Sequence, residues 1–219
     1  MKRYRATDLA VETKADLTPV TEADRAVETA LRVRIAGERG EAVAGEEFGV
    51  EVADVRWWLD PIDGTKEYAR GLPVWASLIA LERDREIVVG VVSAPALGHR
   101  WWATRGGGAR LDGAQIRVSA VARLDDAYVS TTSPRGFPGF AALAERAAVA
   151  RTYMDFWQYM LVAEGRIEAA SDTEMHEWDI AAPRLVVEEA GGRYTIDEGL
   201  YLATNGLLHD QVRALLLPA

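Results

Sequence analysis

The sequence of 219 residues has no cysteine, only three histidines and no long hydrophobic run. Without cysteine, disulfides and thiolate metal sites are excluded. No apolar stretch approaches the ~20 residues that a membrane-spanning helix requires, and no apolar segment follows the basic residues 1–5, so no membrane span or signal peptide is predicted. These absences favour a cytoplasmic protein that does not bind membranes.

Positive charge is also scarce relative to negative charge. The chain has 34 Asp and Glu against 25 Lys and Arg, a formal net charge of -9. Because no excess of basic side chains is available to neutralise phosphates, nucleic acid is not an expected partner. An anionic small molecule would require a bound metal ion.

The remaining composition is that of a globular protein, with 49% hydrophobic and 27% charged residues. The apolar patterns alternate between helix and strand. Helices are predicted at residues 21–37, 140–148, 155–163, 179–190 and 207–217, and strands at 43–45, 55–59, 75–81, 87–93, 100–104, 127–131, 167–170 and 201–204. The strands between residues 75 and 104 follow one another through short turns, which predicts an antiparallel meander.

The most informative segment is residues 59–66, Leu-Asp-Pro-Ile-Asp-Gly-Thr-Lys. Asp60 and Asp63 come just beyond a predicted buried strand, and Gly64 and Thr65 suit the start of a helix. Two carboxylates about 4 Å apart repel by roughly 4 kcal/mol at an effective dielectric constant near 20, so such a pair requires a proton or a cation. Gly64 lets the backbone approach a ligand, and N–H groups at a helix start attract anions. The segment predicts a site that holds a cation together with a phosphate.

Three more acidic motifs accompany this segment. They are Asp-Leu-Thr-Pro-Val-Thr-Glu-Ala-Asp (16–24), Gly-Glu-Glu (45–47) and Trp-Asp-Ile-Ala-Ala (178–182). In this order and rough spacing the four motifs resemble the inositol monophosphatase family over nearly the whole chain. Residues 73–81, 90–97, 100–103 and 203–210 are most similar to the histidinol-phosphatase branch known from actinobacteria.

The resemblance implies a fold and an organisation. The fold is α/β (α+β), a layered α-β-α-β-α sandwich of the inositol monophosphatase and fructose-1,6-bisphosphatase type. One compact unit is expected, in which an N-terminal half (1–125) carries most metal ligands and a C-terminal half (126–219) supplies Asp179 and the substrate contacts. The first helix of the family is expected to be missing, since only thirteen residues precede Lys14.

The resemblance also implies a Mg²⁺ centre with two to three ions per site. The implied ligands are the carboxylates of Glu46, Asp60, Asp63 and Asp179 and the backbone carbonyl of Ile62. All are hard oxygen donors, which favours Mg²⁺ over Zn²⁺. Two such ions about 3.5 to 4 Å apart stabilise the attacking and the departing oxygen of a phosphate ester.

Catalytic roles follow from the same resemblance. Asp24 with Thr65 would orient and help deprotonate the attacking water, Glu47 would support them, and Lys14 would lie close to the third metal. The phosphate would rest on the N–H groups of Gly64 and Thr65. The reaction would be direct attack of metal-activated water, without a phosphoenzyme.

Three acids are candidates for contacts to the rest of the substrate: Asp155, Asp172 and Glu174. Asp172 matches a family position that touches this part of the substrate, and Asp155 lies in a segment beside the pocket in the histidinol-phosphatase branch. Histidinol phosphate carries an ammonium group and an imidazole, so its pocket is expected to offer carboxylates and a flat aromatic surface.

Each motif also has an explanation without function. Asp24, three residues after Thr21, is equally typical of a helix capping box, and Asp179 suits the positive end of a helix. The pair at 46–47 could form a solvated turn, and Asp155 and Asp172 could be exposed loop acids. None of these explanations predicts that all four motifs occur together.

The other chemically notable residues favour structural roles. His99, His176 and His209 are expected to lie at the surface or partly buried and to bind no metal. In the pairs at 57–58 and 101–102, one tryptophan each is expected in the core, because side chains alternate along a strand. The three glycines at 106–108 are expected to form a loop without phosphate.

The predicted function is therefore a Mg²⁺-dependent phosphomonoesterase for a small phosphate monoester, with histidinol phosphate in histidine biosynthesis as the leading substrate. Inositol 1-phosphate and 3'(2'),5'-bisphosphate nucleotides are alternatives, the latter because of Lys-Glu-Tyr at 66–68. A different class, a non-catalytic family member that binds another macromolecule, also stays open. Homodimers are expected from the resemblance alone.

Overall fold

The computed structural model describes residues 4, 11–13, 19–50, 53–132 and 138–217. The helices are α1 (Glu22–Arg39), α2 (Thr65–Ala69), α3 (Pro138–Arg146), α4 (Asp155–Ala163), α5 (Glu177–Glu189) and α6 (His209–Leu216). The strands are β1 (Val11–Thr13), β2 (Pro19–Thr21), β3 (Ala42–Gly45), β4 (Gly49–Val50), β5 (Val55–Asp63), β6 (Ala76–Arg83), β7 (Glu86–Ala94), β8 (His99–Thr104), β9 (Gly108–Leu111), β10 (Ala114–Gln115), β11 (Tyr128–Thr131), β12 (Val149–Arg151), β13 (Ala169–Thr173), β14 (Arg193–Asp197) and β15 (Leu200–Thr204).

Strands β3 to β10 form one sheet, in the order β10-β9-β8-β7-β6-β5-β3-β4. From β5 to β10 each strand pairs antiparallel with the next, so the predicted meander is confirmed and extends further than expected. Strand β3 pairs parallel with β5, with Gly45 opposite Leu59. This pairing brings the Gly-Glu-Glu motif to the end of β5 that carries Asp60.

A second sheet of five strands has the order β12-β11-β13-β15-β14. Helices α4 and α5 lie between the two sheets, where Phe156, Met160 and Leu185 join the core formed with Trp101 and Ala203. Helices α3 and α6 cover the other face of this sheet through Phe140 and Val212, and α1 packs against β3 and β5. The layers follow the expected α-β-α-β-α sandwich.

Burial confirms the prediction for the tryptophan pairs, since Trp58 and Trp101 are buried while Trp57 and Trp102 are half-buried. Gly106 and Gly107 form the predicted loop and Gly108 begins β9. Glu189 holds this segment, since its carboxylate accepts the N–H groups of Gly106 (2.8 Å) and Gly108 (2.9 Å). The expected surface or partly buried position of His209 is wrong, because this side chain is fully buried.

No helix in the described part of the chain is long and apolar enough to cross a bilayer. The expectation of a missing first helix concerns residues 1–13, of which the structure describes only Tyr4 and Val11–Thr13. The division at residue 125 stays a prediction.

Candidate active site

The site begins with an irregularity in β5. Asp60 pairs with Leu78 and Asp63 pairs with Ala76, so three steps on β5 correspond to two steps on β6. In a regular strand, residues three apart would point to opposite faces. The bulge adds one residue, and because Leu78 and Ala76 share a face, Asp60 and Asp63 also share it. Ser77 stabilises the bulge by donating its hydroxyl to the Pro61 carbonyl at 2.7 Å.

The third acid comes from the N-terminus of α5. Asp179 is the third residue of this helix, and its Oδ2 accepts the His176 N–H at 2.8 Å, as in a capping box. One carboxylate oxygen each of Asp60, Asp63 and Asp179 lies within 4.8 Å of the others. The helix-terminus explanation for Asp179 is therefore correct, and the side chain also reaches the acids of β5.

Electrostatics makes this cluster costly without a cation. Burial, followed by the charges of Glu46 and Asp63, raises the pKa of Asp60 well above its usual range. Burial, followed by the charges of Asp155 and Asp179, does the same to the pKa of Asp63. A neighbouring cation would restore the charged forms of both groups.

The donor set fits Mg²⁺. Asp60 belongs to the group of three carboxylates. Its Oδ1 is buried and has no hydrogen-bond partner among the described residues. Mg²⁺ takes carboxylate oxygens and keeps several waters, so three acids and a phosphate suit it. Asp60, Asp63 and Asp179 would hold the ion, and the role of the Ile62 carbonyl stays a prediction; this carbonyl accepts the Thr65 hydroxyl at 3.0 Å.

The turn after β3 carries Glu46 and Glu47. The N–H of Glu46 donates to the Leu59 carbonyl at 3.2 Å, which ties this residue to β5 directly before Asp60. Glu46 is not one of the three acids within 4.8 Å, but after burial its charge is the largest cause of the raised pKa of Asp60. Both glutamates are half-buried, so a fully solvated turn is the wrong description.

Asp24 combines the two roles that its sequence context left open. Its Oδ2 accepts the N–H of Thr21 at 2.8 Å and also the Thr21 hydroxyl, which completes a capping box at the start of α1. Its Oδ1 lies 3.3 Å from the hydroxyl oxygen of Thr65, whose shorter contact is to the Ile62 carbonyl at 3.0 Å. Asp24 is fully buried, so the capping acid of α1 also contacts the start of α2.

Gly64 joins β5 to α2 in a left-handed conformation, with φ 82° and ψ 40°. A Cβ at this position would lie 2.7 Å from the Val74 carbonyl oxygen and 3.3 Å from the Cα of Trp75. Glycine is therefore required both for the conformation and for the close packing. Phosphate binding by the N–H groups of Gly64 and Thr65 stays a prediction.

A second group of acids lies beside Gly64. Asp155 begins α4, and its Oδ2 is buried without a hydrogen-bond partner in the described part of the chain. Burial, followed by the charge of the buried Glu67, raises the pKa of Asp155 to about 7, and Asp172 adds to this effect. The neighbouring N–H of Phe156 donates to Asp63 Oδ2 at 2.7 Å, which links this group to the metal-binding acids.

Asp172 lies in strand β13, not in an exposed loop, and is 8% exposed. Its Oδ2 accepts the Thr132 hydroxyl at 2.5 Å and its Oδ1 accepts the Thr173 N–H at 2.8 Å. Buried Gln158 bridges the same network, donating to the Thr132 hydroxyl (3.0 Å) and accepting from Ser130 (2.8 Å). The loop interpretation of Asp155 and Asp172 is therefore wrong.

Two predicted site residues are not brought to this cluster by any described contact. Glu174 is exposed at a left-handed position, φ 59°, directly after β13. Lys14 lies outside the described residues. Sequence reasoning missed Glu67, Gln158 and Glu28. Gln158 has a sequence signal, as a polar residue within the otherwise apolar stretch 156–163, whereas Glu28 lies between Asp24 and Arg32 on a polar face of α1.

A groove of about 640 Å³ lies elsewhere, at the edge where β5 begins and β6 ends. Arg56, Trp58, Glu82, Arg85 and Arg184 are among its lining residues, and the lining includes none of the predicted site residues. Many of its charges are paired, as in the contacts of Arg56 Nε and Nη2 with Glu82 at 2.9 and 3.1 Å. The acidic cluster, not this groove, has the chemistry of a reaction site.

Comparison with known proteins agrees with this geometry. The model of the inositol monophosphatase family matches residues 1–214. The chain belongs to the inositol monophosphatase family. It is therefore a phosphatase.

Two relatives of this phosphatase are histidinol-phosphatases. It is 49% identical to the histidinol-phosphatase of Mycobacterium tuberculosis, over 96% of this chain and 89% of the relative. It is 45% identical to the histidinol-phosphatase of Streptomyces coelicolor, over 97% and 89%. Among solved structures, Thermotoga maritima IMPase TM1415 superposes with a TM-score of 0.93 at 32% identity, over 99% of this chain and 90% of that one. The family and the sandwich fold expected from the sequence are confirmed.

Proposed function

We propose that this phosphatase hydrolyses histidinol phosphate to histidinol and phosphate in a Mg²⁺-dependent reaction. The observation that supports this substrate is the presence of two neighbouring acidic groups. Asp60, Asp63 and Asp179 suit metal and phosphate, whereas Asp155, Glu67 and Asp172 form a second buried acidic group that the metal-ligand assignment does not need. The second group suits the positive end of a substrate.

The surroundings of Asp155 support an aromatic cation. Tyr153 and Trp157 flank Asp155 in sequence, are half-buried and contact each other edge to face, with ring centroids 5.8 Å apart. Aromatic faces beside carboxylates favour flat cations such as an imidazolium group. Inositol 1-phosphate, which has only hydroxyl groups at this end, would leave the buried acids without a countercharge. The two histidinol-phosphatase relatives also favour histidinol phosphate as the substrate.

Each residue of the site has a separate role in the proposed reaction. When bound, Mg²⁺ supplies positive charge for the phosphate and lowers the pKa of a water molecule. Asp24 Oδ1, which lies 3.3 Å from the Thr65 hydroxyl oxygen, would accept a proton from the attacking water. The N–H groups of Gly64 and Thr65 would bind phosphate oxygens, and Asp155 and Asp172 would orient the leaving alcohol.

Phosphate release from histidinol phosphate, inositol 1-phosphate and adenosine 3',5'-bisphosphate, each with and without Mg²⁺, tests the proposal. We expect kcat/KM for histidinol phosphate to exceed the others by roughly tenfold or more, because a buried acid rejects substrates that leave it unpaired. Preference for another compound would identify one of the alternative activities. No release from any compound, with a stoichiometric protein partner whose binding is unaffected by Asp60→Asn, would favour the interaction protein.

Substitution of Asp172 tests the substrate contact. Asp172→Asn keeps the shape but removes a charge, so KM for histidinol phosphate should rise by roughly 10- to 100-fold, the loss typical of a charge-assisted hydrogen bond, with a smaller fall in kcat. Steady-state kinetics on the variant and on the control Asp112→Asn, an exposed acid paired with His99, measures this. An unchanged KM would remove Asp172 from the substrate site.

A homodimer, the absence of nucleic-acid and membrane partners, a cytoplasmic location and the number of Mg²⁺ ions remain predictions. The Lys-Glu-Tyr similarity to nucleotide phosphatases has a packing explanation, since Tyr68 is buried and lies edge to face with Trp75, centroids 4.9 Å apart.

A further inference from the structure

The turn that carries Glu46 is held by a residue with no role assigned so far. Glu28 lies on α1, one turn after Asp24, and is fully buried. Its Oε2 accepts the N–H of Glu47 at 2.8 Å, and its Oε1 accepts the N–H of Phe48 at 3.3 Å. The two N–H groups that directly follow Glu46 therefore bind one carboxylate.

Arg32 completes the arrangement one turn further along α1. Its Nε donates to Glu28 Oε1 at 2.7 Å, and its Nη1 and Nη2 donate to the carbonyls of Val43 (3.0 Å) and Gly49 (2.8 Å). The guanidinium group thus neutralises the buried carboxylate and also spans the β3–β4 turn from one side to the other. A planar fork is suited to such simultaneous contacts, which a lysine cannot make.

Gly45 makes the close approach possible. A Cβ on Gly45 would lie 2.2 Å from Glu28 Oε1 and 2.5 Å from its Cδ. No positive φ accompanies Gly45, so the reason for glycine here is the space taken by the Glu28 carboxylate. The glycine of the Gly-Glu-Glu motif is therefore explained by Glu28 and not by a turn conformation.

The three residues Asp24, Glu28 and Arg32 are spaced by four and lie on one face of α1. Asp24 contacts Thr65 at the start of α2, Glu28 contacts the turn after Glu46, and Arg32 contacts β3 and the start of β4. We propose that Glu28 and Arg32 act as a clamp that fixes the direction of the Glu46 carboxylate toward Asp60, and so set the affinity of the site for Mg²⁺. This inference rests on the proposed function of the acidic cluster as a Mg²⁺ site.

Under this proposal Glu28 and Arg32 are positioning residues. Glu28→Gln retains the shape but provides a single acceptor oxygen, so one of the two N–H groups of the turn loses its partner. Substitution of residues that orient metal ligands usually weakens metal binding by 10- to 100-fold. We expect a loss of roughly tenfold or more in Mg²⁺ affinity, and a smaller change in kcat once Mg²⁺ is saturating, because Glu46 itself is intact.

The control is Glu168→Gln. Glu168 is also a buried glutamate that accepts a backbone N–H, from Tyr128 at 2.6 Å, and it lies at the opposite end of β13 from Asp172. It should lose stability to a similar extent without a change in Mg²⁺ affinity. Arg32→Lys, which keeps the charge but loses the fork, should resemble Glu28→Gln in a milder form and provides the test should Glu28→Gln not fold.

Isothermal titration calorimetry of Mg²⁺ with product phosphate present measures affinity without any turnover. Weaker Mg²⁺ binding by Glu28→Gln and Arg32→Lys than by Glu168→Gln supports the clamp. Gly45→Ala should weaken binding too, and its effect should be non-additive with that of Glu28→Gln, since both displace the same carboxylate. If the wild type binds Mg²⁺ and the clamp variants bind it as well as the control, the clamp is refuted and the proposed function stands. If the wild type binds none, the proposed function itself fails.

Discussion

Some carboxylates of the site stabilise the fold, whereas others destabilise it when no cation is bound. Asp24 and Asp179 stabilise the helix starts that hold them, through bonds to Thr21 and His176. Asp60 gains no such bond at its Oδ1 and is surrounded by other acids. The first two are therefore compatible with an ordinary fold, whereas Asp60 is costly unless a cation is bound.

Asp60→Asn should therefore separate stability from function. Because the folded-state pKa of Asp60 is raised, the unfolded chain releases this proton more readily, and the metal-free wild type loses stability as pH rises above about 4. Asn cannot ionise, so the metal-free variant should be more stable than the wild type at pH 7 by roughly 1 to 3 kcal/mol.

Urea unfolding in a chelator and again in Mg²⁺ measures this difference. Mg²⁺ should stabilise the wild type and not Asp60→Asn, and the variant should lose phosphatase activity. Asp54→Asn, at an exposed position, is the control and should change neither quantity. A variant less stable than the wild type in the chelator would contradict the electrostatic account of the site.

His209 makes a different pH dependence. It lies fully buried between the hydroxyls of Thr204 (2.9 Å from Nδ1) and Thr195 (3.0 Å from Nε2), and burial, then the charge of Arg193, lowers its pKa to about 4. The unfolded chain binds this proton near pH 6.5, so stability falls as pH drops from about 6.5 to 4, by roughly 2 to 3 kcal/mol.

The comparison of wild type with His209→Gln isolates this contribution. The variant should be less stable at pH 7, since two hydroxyls lose a partner, but the difference between the two proteins should shrink toward pH 4. Urea unfolding across pH 4 to 7 in a chelator provides the data. A difference that stays constant over this range would show that His209 does not titrate as described.

At the scale of elements, the junction between β5 and α2 determines the site. The bulge turns Asp60 and Asp63 to one face, and Gly64 reverses the chain at once so that Thr65 reaches Asp24. The sequence indicated a strand followed by a helix start here. It did not indicate that the strand continues through Pro61 to Asp63, because the bulge exists only through pairing with β6.

Gly64→Ala should disrupt this junction more than its conformation alone explains. A left-handed alanine costs about 1 kcal/mol, and the 2.7 Å approach of its Cβ to the Val74 oxygen adds displacement of the backbone. Gly40→Ala is the matched control, because Gly40 has φ 67° at the end of α1 with nothing within 4 Å of its Cβ position.

Thermal unfolding and phosphatase assays on both variants test this. The control should lose about 1 kcal/mol and keep its activity, whereas Gly64→Ala should lose more stability and at least 100-fold in kcat/KM, as expected when reacting groups are misplaced by about 1 Å. Equal effects on the two variants would mean that conformation alone matters at Gly64.

On the scale of the whole molecule, α5 connects the two sheets and delivers Asp179. It packs on β7, where a Cβ on Gly90 would lie 2.9 Å from the Ala182 carbonyl oxygen and 3.2 Å from its Cα. Nothing in the local sequence around Gly90 indicates this approach. Glycine here allows the helix to lie close enough to the sheet for Asp179 to reach Asp60 and Asp63.

Gly90→Ala should therefore displace Asp179, a proposed metal ligand on α5, although Gly90 itself lies in β7. Overpacking of this kind costs about 1 to 3 kcal/mol, and the shift of α5 should also weaken Mg²⁺ binding. Gly37→Ala, in α1 with nothing within 4 Å of its Cβ position, should be neutral or slightly stabilising and leave Mg²⁺ affinity unchanged. If calorimetry shows normal Mg²⁺ affinity in Gly90→Ala, the packing of α5 on β7 does not determine the position of Asp179.

Prediction succeeded where local pattern and structure agree. Helix α4 has the predicted bounds, 155–163, because its apolar residues repeat at helical spacing and Gly165 follows its end. Strand β13 was shifted and shortened in the prediction, since Asp172 has weak strand preference. The segment is strand because β15 pairs with all five of its residues and β11 pairs with the first three. Strand β12 was missed because its partner β11 is distant in sequence, whereas β14 was missed although it forms a hairpin with β15 across Glu198 and Gly199.

Residue types and their order established the chemistry, with acids in four motifs, hard oxygen donors and no cysteine, and the resemblance established the family and the fold. Residue type and order are local properties, so they survive without coordinates. Which acids lie close together follows from the fold alone. The bulge in β5, the close approach of α5 at Gly90 and the hydrogen bond of Glu28 to the turn after Glu46 bring them together. Those contacts join residues far apart along the chain, and their distances follow from packing of whole elements, which no local pattern records.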